Sequence, residues 1–165
     1  MRKILVASTL VLLLVSCKDK VQVSDTNEDA EYSLSTDAWP KKFKVDSAVR
    51  GILNEWPEYI AMDASFDAIY TVANKDDLSL TIENIIEEQK LLEASKYPDE
   101  FDKPQIKSRQ KVFKTYVLRV KGDLIYRLDT EQSVIEMIKA YNTQRKQFGI
   151  LLNSTLDTKL IFEEE

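Results

Sequence analysis

Histidine is absent from this 165-residue chain, which rules out His-based catalytic triads, His-ligated haem or zinc, and the Glu-x-x-His motif of di-metal helical proteins. Cysteine occurs once, at Cys17, so neither an intrachain disulfide nor a thiolate metal cluster can form. Glycine is confined to Gly51, Gly122 and Gly149, scattered singly, and nothing resembles a phosphate-cradling loop. Clustered lysine and arginine are also missing, and with a net charge of -5 the chain lacks what a nucleic-acid binder needs to neutralise phosphates. No nucleophile and base pair can be assembled from what remains, so the expectation is a protein without catalysis and without a cofactor. The length suits one domain with one core.

What is present begins with an export pattern. Arg2 and Lys3 are followed by an apolar run from Ile4 to Val15, broken only by Ser8 and Thr9 and too short to span a bilayer comfortably. Leu14-Val15-Ser16-Cys17 resembles the bacterial lipobox, in which a small residue precedes a cysteine that is lipidated and becomes the first residue of the mature protein. The resemblance implies a signal peptide over 1–16 and acyl chains such as palmitate on Cys17. It also implies attachment to the cell envelope, with Lys18 rather than Asp after the cysteine favouring the outer membrane. Two or three acyl chains anchor stably where one does not. Removal of Arg2 and Lys3 takes the net charge from -5 to -7, so attachment has to come from lipid and not from a basic face.

Residues 17–44 form the next segment, the lipidated cysteine and a polar linker with isolated apolar residues and Trp39-Pro40 near its end. Such a composition is expected to stay disordered and to act as a tether of about 25 to 30 Å. Trp39 is an aromatic that could dock onto the domain.

The domain itself is expected over 45–165, all-α, as an antiparallel up-down four-helix bundle. Apolar residues recur at steps of three and four through Val49, Ile52, Trp56, Tyr59, Phe66 and Tyr70, predicting helix 1 over 45–74, kinked or split by Pro57. Helix 2 is capped by Asp76 or Asp77, carries Leu78, Ile82, Ile85, Gln89 and Leu92, and fades near Ser95. Residues 97–103 read as a loop, and Pro104 opens helix 3, with Ile106, Phe113, Val117, Val120 and Leu124, ending near Leu128. Asp129 and Gln132 have capping-box spacing for helix 4, whose stripe is Val134, Ile138, Tyr141, Phe148 and Leu152. From Asn153 the pattern is less regular, with Leu156, Leu160 and Phe162 available to pack back. A longer coiled-coil hairpin completed by a second chain is the alternative architecture.

Each stripe is interrupted by a polar residue: Asp63, Gln89, Arg109 or Gln110, and Arg145 with Asn142 beside it. Counted from the turns, these positions fall near one level. Three readings follow: helix-edge residues reaching water, a buried polar layer that fixes register, or a ligand site in which Arg109 or Arg145 holds a carboxylate. Glu83, Glu87 and Glu88 read as a solvated face with Glu87 placed to pair with Lys90. The functional expectation is an interaction or structural module of the envelope, anchored by lipid on Cys17 and meeting an envelope protein. The alternative is a small-ligand-binding bundle that resembles, in architecture only, the extracytoplasmic domains of bacterial sensors.

Overall fold

The computed structural model describes residues 33–163, with side chains described through Ser154. The signal segment, Cys17 and the linker up to residue 32 lie outside the described residues. What is described is all-helical, and among these residues no helix is long and apolar enough to cross a membrane.

The first helical stripe is broken into pieces. Helix α1 (Ser47–Leu53) is capped by Asp46, whose carboxylate accepts from the Val49 N–H at 2.8 Å. Trp56 is extended because a residue preceding proline is sterically kept out of the helical region, and Pro57 then opens α2 (Pro57–Asp67) at a position that needs no N–H. A 3₁₀ turn (Ala68–Thr71) follows, and Val72 is extended. The stripe does not run on to residue 74 as one kinked helix, because Asn74 is taken as the cap of the next one. Its side chain accepts from the Asp77 N–H at 2.8 Å, while Asp77 reaches back to the Ala73 N–H at 3.2 Å. The cap of α3 (Lys75–Ala94) is thus Asn74 and neither of the aspartates expected from the sequence.

Helix α4 (Pro104–Ile125) starts at its proline as expected. It ends in a Schellman turn, with Leu128 N–H bonded to Asp123 O and Arg127 N–H to Leu124 O. Arg127 occupies the left-handed position (φ 55°) that glycine usually fills. Helix α5 (Glu131–Glu163) is capped differently from the expected box: Asp129 accepts from the Glu131 N–H at 3.0 Å, and Gln132 bonds Glu136 instead. The helix continues through residue 163, so the stretch after Asn153 is regular in backbone despite its weaker pattern. The packing of Leu156, Leu160 and Phe162 lies outside the described side chains.

Ion pairs show how α3 and α4 lie. Lys121 meets Glu83 at 2.8 Å and Lys114 meets Glu93 at 2.6 Å, so one helix descends as the other climbs. Trp56, at the start of α2, donates its indole N–H to Ser95 at the end of α3 (2.8 Å), which sets those two helices antiparallel as well. The apolar stripes meet in one core that includes Phe66, Leu78, Ile82, Ile85, Phe113, Val117, Ile138, Tyr141 and Phe148. Aromatic rings dominate its centre, with Phe66 and Phe113 at 3.9 and 5.0 Å from Tyr141, centroid to centroid. The loop between α3 and α4 joins this core, since Phe101 is buried and its ring packs, tilted, at 4.6 Å from that of Phe148, centroid to centroid.

The boundary expected at Val45 is displaced. Residues 34–45 are a strap laid along the helices: Leu34 N–H bonds Ala73 O at 3.0 Å, Trp39 is buried, and Tyr70 donates to Pro40 O at 2.7 Å. Composition misjudged this stretch because its backbone groups are satisfied by residues distant in sequence, Asn142 and Arg145 of α5 with Tyr70 and Ala73, while Trp39 and Val45 are buried.

Candidate functional site

Midway along the strap, three elements bring charged groups together. Asp63, on α2, lies two-thirds of the way along that helix and faces Arg145, on α5, with Oδ1 and Nη1 2.5 Å apart. The same Arg145 nitrogen donates to the Tyr59 hydroxyl at 2.8 Å, and its Nε donates to the Phe43 carbonyl at 2.7 Å. Tyr141 donates to Asp63 Oδ1 at 2.5 Å, and Lys42 from the strap reaches Asp63 Oδ2 at 3.1 Å and Asp67 at 2.5 Å. One turn before Arg145, Asn142 spans the strap with both ends of its amide: Oδ1 accepts from the Phe43 N–H at 2.7 Å and Nδ2 donates to the Lys41 carbonyl at 2.9 Å.

Two cations face two anions here, and Asp63 accepts from three donors. The cluster is therefore neutral, and three of the roughly four acceptor sites of the Asp63 carboxylate are already taken. Arg145 stays charged: burial works against its charge, but the facing oxygens of Tyr59, Tyr141 and Asp63 outweigh burial and raise its pKa. Burial drives the Tyr59 and Tyr141 hydroxyls well above the usual phenol value of 10.0, and Asp63 pushes in the same direction. Tyr70, beside Asp67, is raised to about 12, again mainly by burial.

The six residues singled out by the sequence divide. Asp63, Asn142 and Arg145 meet as described. Gln89 and Gln110 are buried but engage elsewhere: Gln110 accepts from the Tyr97 hydroxyl, and Gln89 reaches Glu93 of its own helix at 3.5 Å. Arg109 is exposed and contributes nothing to the interior, which corrects its assignment to the layer. The expectation that all six share one level is therefore too coarse. The predicted Glu87–Lys90 pair is present at 2.7 Å on the outer face of α3.

Sequence reasoning missed Lys42 and Asp67, because a lysine in a polar linker carries no signal of docking. It read Tyr59 and Tyr141 as core aromatics, which they are, without their hydroxyls as polar partners. Gln144 was also missed; it is fully buried and neither end of its amide has a hydrogen-bond partner among the described residues. Its place one helical step after Tyr141 was the available clue.

Two hollows flank Arg145. One, of about 180 Å³, is bounded by Val45, Arg50, Tyr59, Ile60 and Asp63. That is below the range of about 300 to 1,000 Å³ common for small-molecule sites. The other, about 510 Å³, is an open groove between Phe43, Val45, Val49, Lys146 and Ile150. No protein-family model, curated protein or solved structure matches the chain.

Proposed function

We propose that this chain is a bacterial envelope lipoprotein without catalytic activity, in which lipid on Cys17 anchors a four-helix, up-down bundle that serves as an interaction module. The observation that carries this reading is the clasp formed by Asp63, Asn142 and Arg145. It grips the backbone of residues 41–43, the segment leading toward Cys17, and consumes in doing so the charged groups that a ligand or a reaction would need. A load applied through the anchor would pass into the helices rather than into a slack linker. The module would then present its surface to an envelope protein from a defined point of attachment. Membrane attachment through acyl chains, with the outer membrane favoured by Lys18, completes the proposal.

Two measurements test it. The mass of the mature amino terminus, taken from protein made in its own host, should show cleavage before Cys17 and added acyl chains, and Cys17→Ser should abolish both. A chain intact at Met1, or a free thiol on a water-soluble protein, overturns the anchoring. Crosslinking in native membranes should recover a protein partner that the Cys17→Ser form fails to recover; recovery of the same background from both forms overturns the interaction role.

A further inference from the structure

The strap joins the helices at a definable end. Leu34 pairs with Ala73 and Ser33 with Asn74, immediately before α3 begins at Lys75. The Lys121–Glu83 and Lys114–Glu93 pairs run α4 antiparallel to α3, so the first turn of α3 lies level with the end of α4 and its turn into α5. That turn is apolar and open. Ile125, Tyr126 and Leu128 are 65%, 76% and 52% exposed, and Leu80, in the second turn of α3, is 66% exposed. The turn is held in shape by Arg127 in a left-handed conformation that a non-glycine residue adopts at a cost.

We propose that this tip, Ile125-Tyr126-Arg127-Leu128, sits in the interfacial layer of the membrane that holds Cys17, giving the protein a second, weaker attachment and an end-on orientation. The inference rests on the lipid-anchor reading above. Fifteen residues lie between Cys17 and Ser33; the sixteen steps from one Cα to the next reach about 55 Å fully extended and about 20 to 24 Å as a random coil. The end at which the chain joins the helices is therefore the end held nearest the bilayer, and it is the end with the exposed apolar turn. Tyrosine suits the interface, where its ring meets acyl chains and its hydroxyl meets headgroups. Charge narrows the surface further. Asp76, Asp77, Asp123, Asp129 and Glu131 outnumber Lys75 and Arg127 at this end, so the matching surface is zwitterionic and not anionic. Three apolar side chains bind a membrane weakly by themselves, but tethering makes the contact intramolecular and favourable at the resulting local concentration.

The test couples the single cysteine of the chain 17–165 to a maleimide lipid in phosphatidylcholine vesicles, so attachment is supplied by the experimenter and does not depend on host lipidation. Both native tryptophans are buried, which leaves a Tyr126→Trp probe readable against them. Quenching of that probe by brominated phosphatidylcholine should be at least twofold stronger than for Glu100→Trp, placed at the opposite end. Ile125→Ser with Leu128→Ser should remove the difference while leaving the circular dichroism melt unchanged. Equal quenching at the two ends, quenching only when anionic lipid is added, or protection of the Tyr126→Trp probe by a second copy of the chain in dimers would each overturn the proposal. None of these outcomes bears on whether the host lipidates Cys17, which the mass of the mature terminus reads separately.

Discussion

Asp63 and Arg145 face each other across the helical core at 2.5 Å, the arginine side chain 7% exposed and the aspartate 25%. Removing either charge leaves the other in a place where water reaches it poorly. Arg145→Met should therefore cost about 2 to 3 kcal/mol of unfolding free energy, just below the range of about 3 to 5 kcal/mol for breaking a fully buried pair because Asp63 keeps some solvent. The exposed Arg109→Met should change stability by less than about 0.5 kcal/mol. In urea titrations, the double variant Asp63→Asn, Arg145→Met should lose less than the sum of the single losses, with a coupling of at least about 1 kcal/mol. Strict additivity would mean that the pair is not a stabilising unit.

Asn142 bonds the strap twice, and nothing else in its reach replaces both contacts. At about 1 kcal/mol per hydrogen bond, Asn142→Leu should raise the open population of residues 39–45 roughly 10- to 30-fold. Trypsin cleavage after Lys41, Lys42 and Lys44 should accelerate in proportion, with helical circular dichroism unchanged. Trp39 gives a second readout, since its burial depends on the strap: its emission should shift to the red in the variant, measured in a Trp56→Phe background. Unchanged cleavage would show that the remaining contacts, Arg145 on the Phe43 carbonyl, Lys42 on Asp63 and Asp67, and the burial of Trp39, hold the strap without Asn142.

The helical stripes were legible because burial and periodicity coincide: every apolar position expected on α3, from Leu78 to Leu92, is buried, as is Gln89 within the stripe. Interruptions of a stripe were legible as positions but not as partners. Asp63 and Arg145 stand far apart in sequence, and heptad counting places them only to within a turn, whereas a hydrogen bond needs ångström placement. The strap was illegible for a different reason. Most of its residues are polar, and their order comes from α5, Tyr70 and Ala73, distant in sequence, so no local composition could report it. The break at Asn74 shows the remaining limit, because a side chain that caps one helix necessarily ends the stretch before it, and apolar spacing alone is blind to that competition.

Gln144 and Gln110 are both sealed from water, yet substitution should move stability in opposite directions. The Gln144 amide has no partner at either end among the described residues, so exchanging it for a shape-matched apolar side chain removes a desolvated polar group. Gln144→Met should gain about 1 kcal/mol. Gln110 accepts from the Tyr97 hydroxyl while its own Nε2 has no partner among the described residues, so Gln110→Met strands one donor, removes another, and should cost about 1 kcal/mol. Thermal melts of the two variants, run side by side, should straddle the parent. Destabilisation of both by the same amount would indicate that Gln144 is hydrogen-bonded after all.

Alkaline pH should unfold this protein through its tyrosines. Tyr59, Tyr70, Tyr97 and Tyr141 all have pKa values raised above 10.0, chiefly by burial, with Tyr70 at about 12. The unfolded chain releases these protons near pH 10 while the folded chain retains them, so above that pH the unfolded state binds fewer protons and stability falls as pH rises. Their contribution is complete below pH 10 and declines from about pH 10 through 12 and beyond. Phenolate absorbance near 295 nm should therefore rise in two stages, the second coinciding with loss of helical circular dichroism. Tyr59→Phe with Tyr141→Phe should shrink the second stage and move it to higher pH, although the same pair would weaken the protein at neutral pH by depriving Arg145 and Asp63 of partners. A single ionisation stage complete by about pH 10.5 with helix intact would show that these hydroxyls are in contact with solvent, and the buried cluster around Arg145 would have to be abandoned.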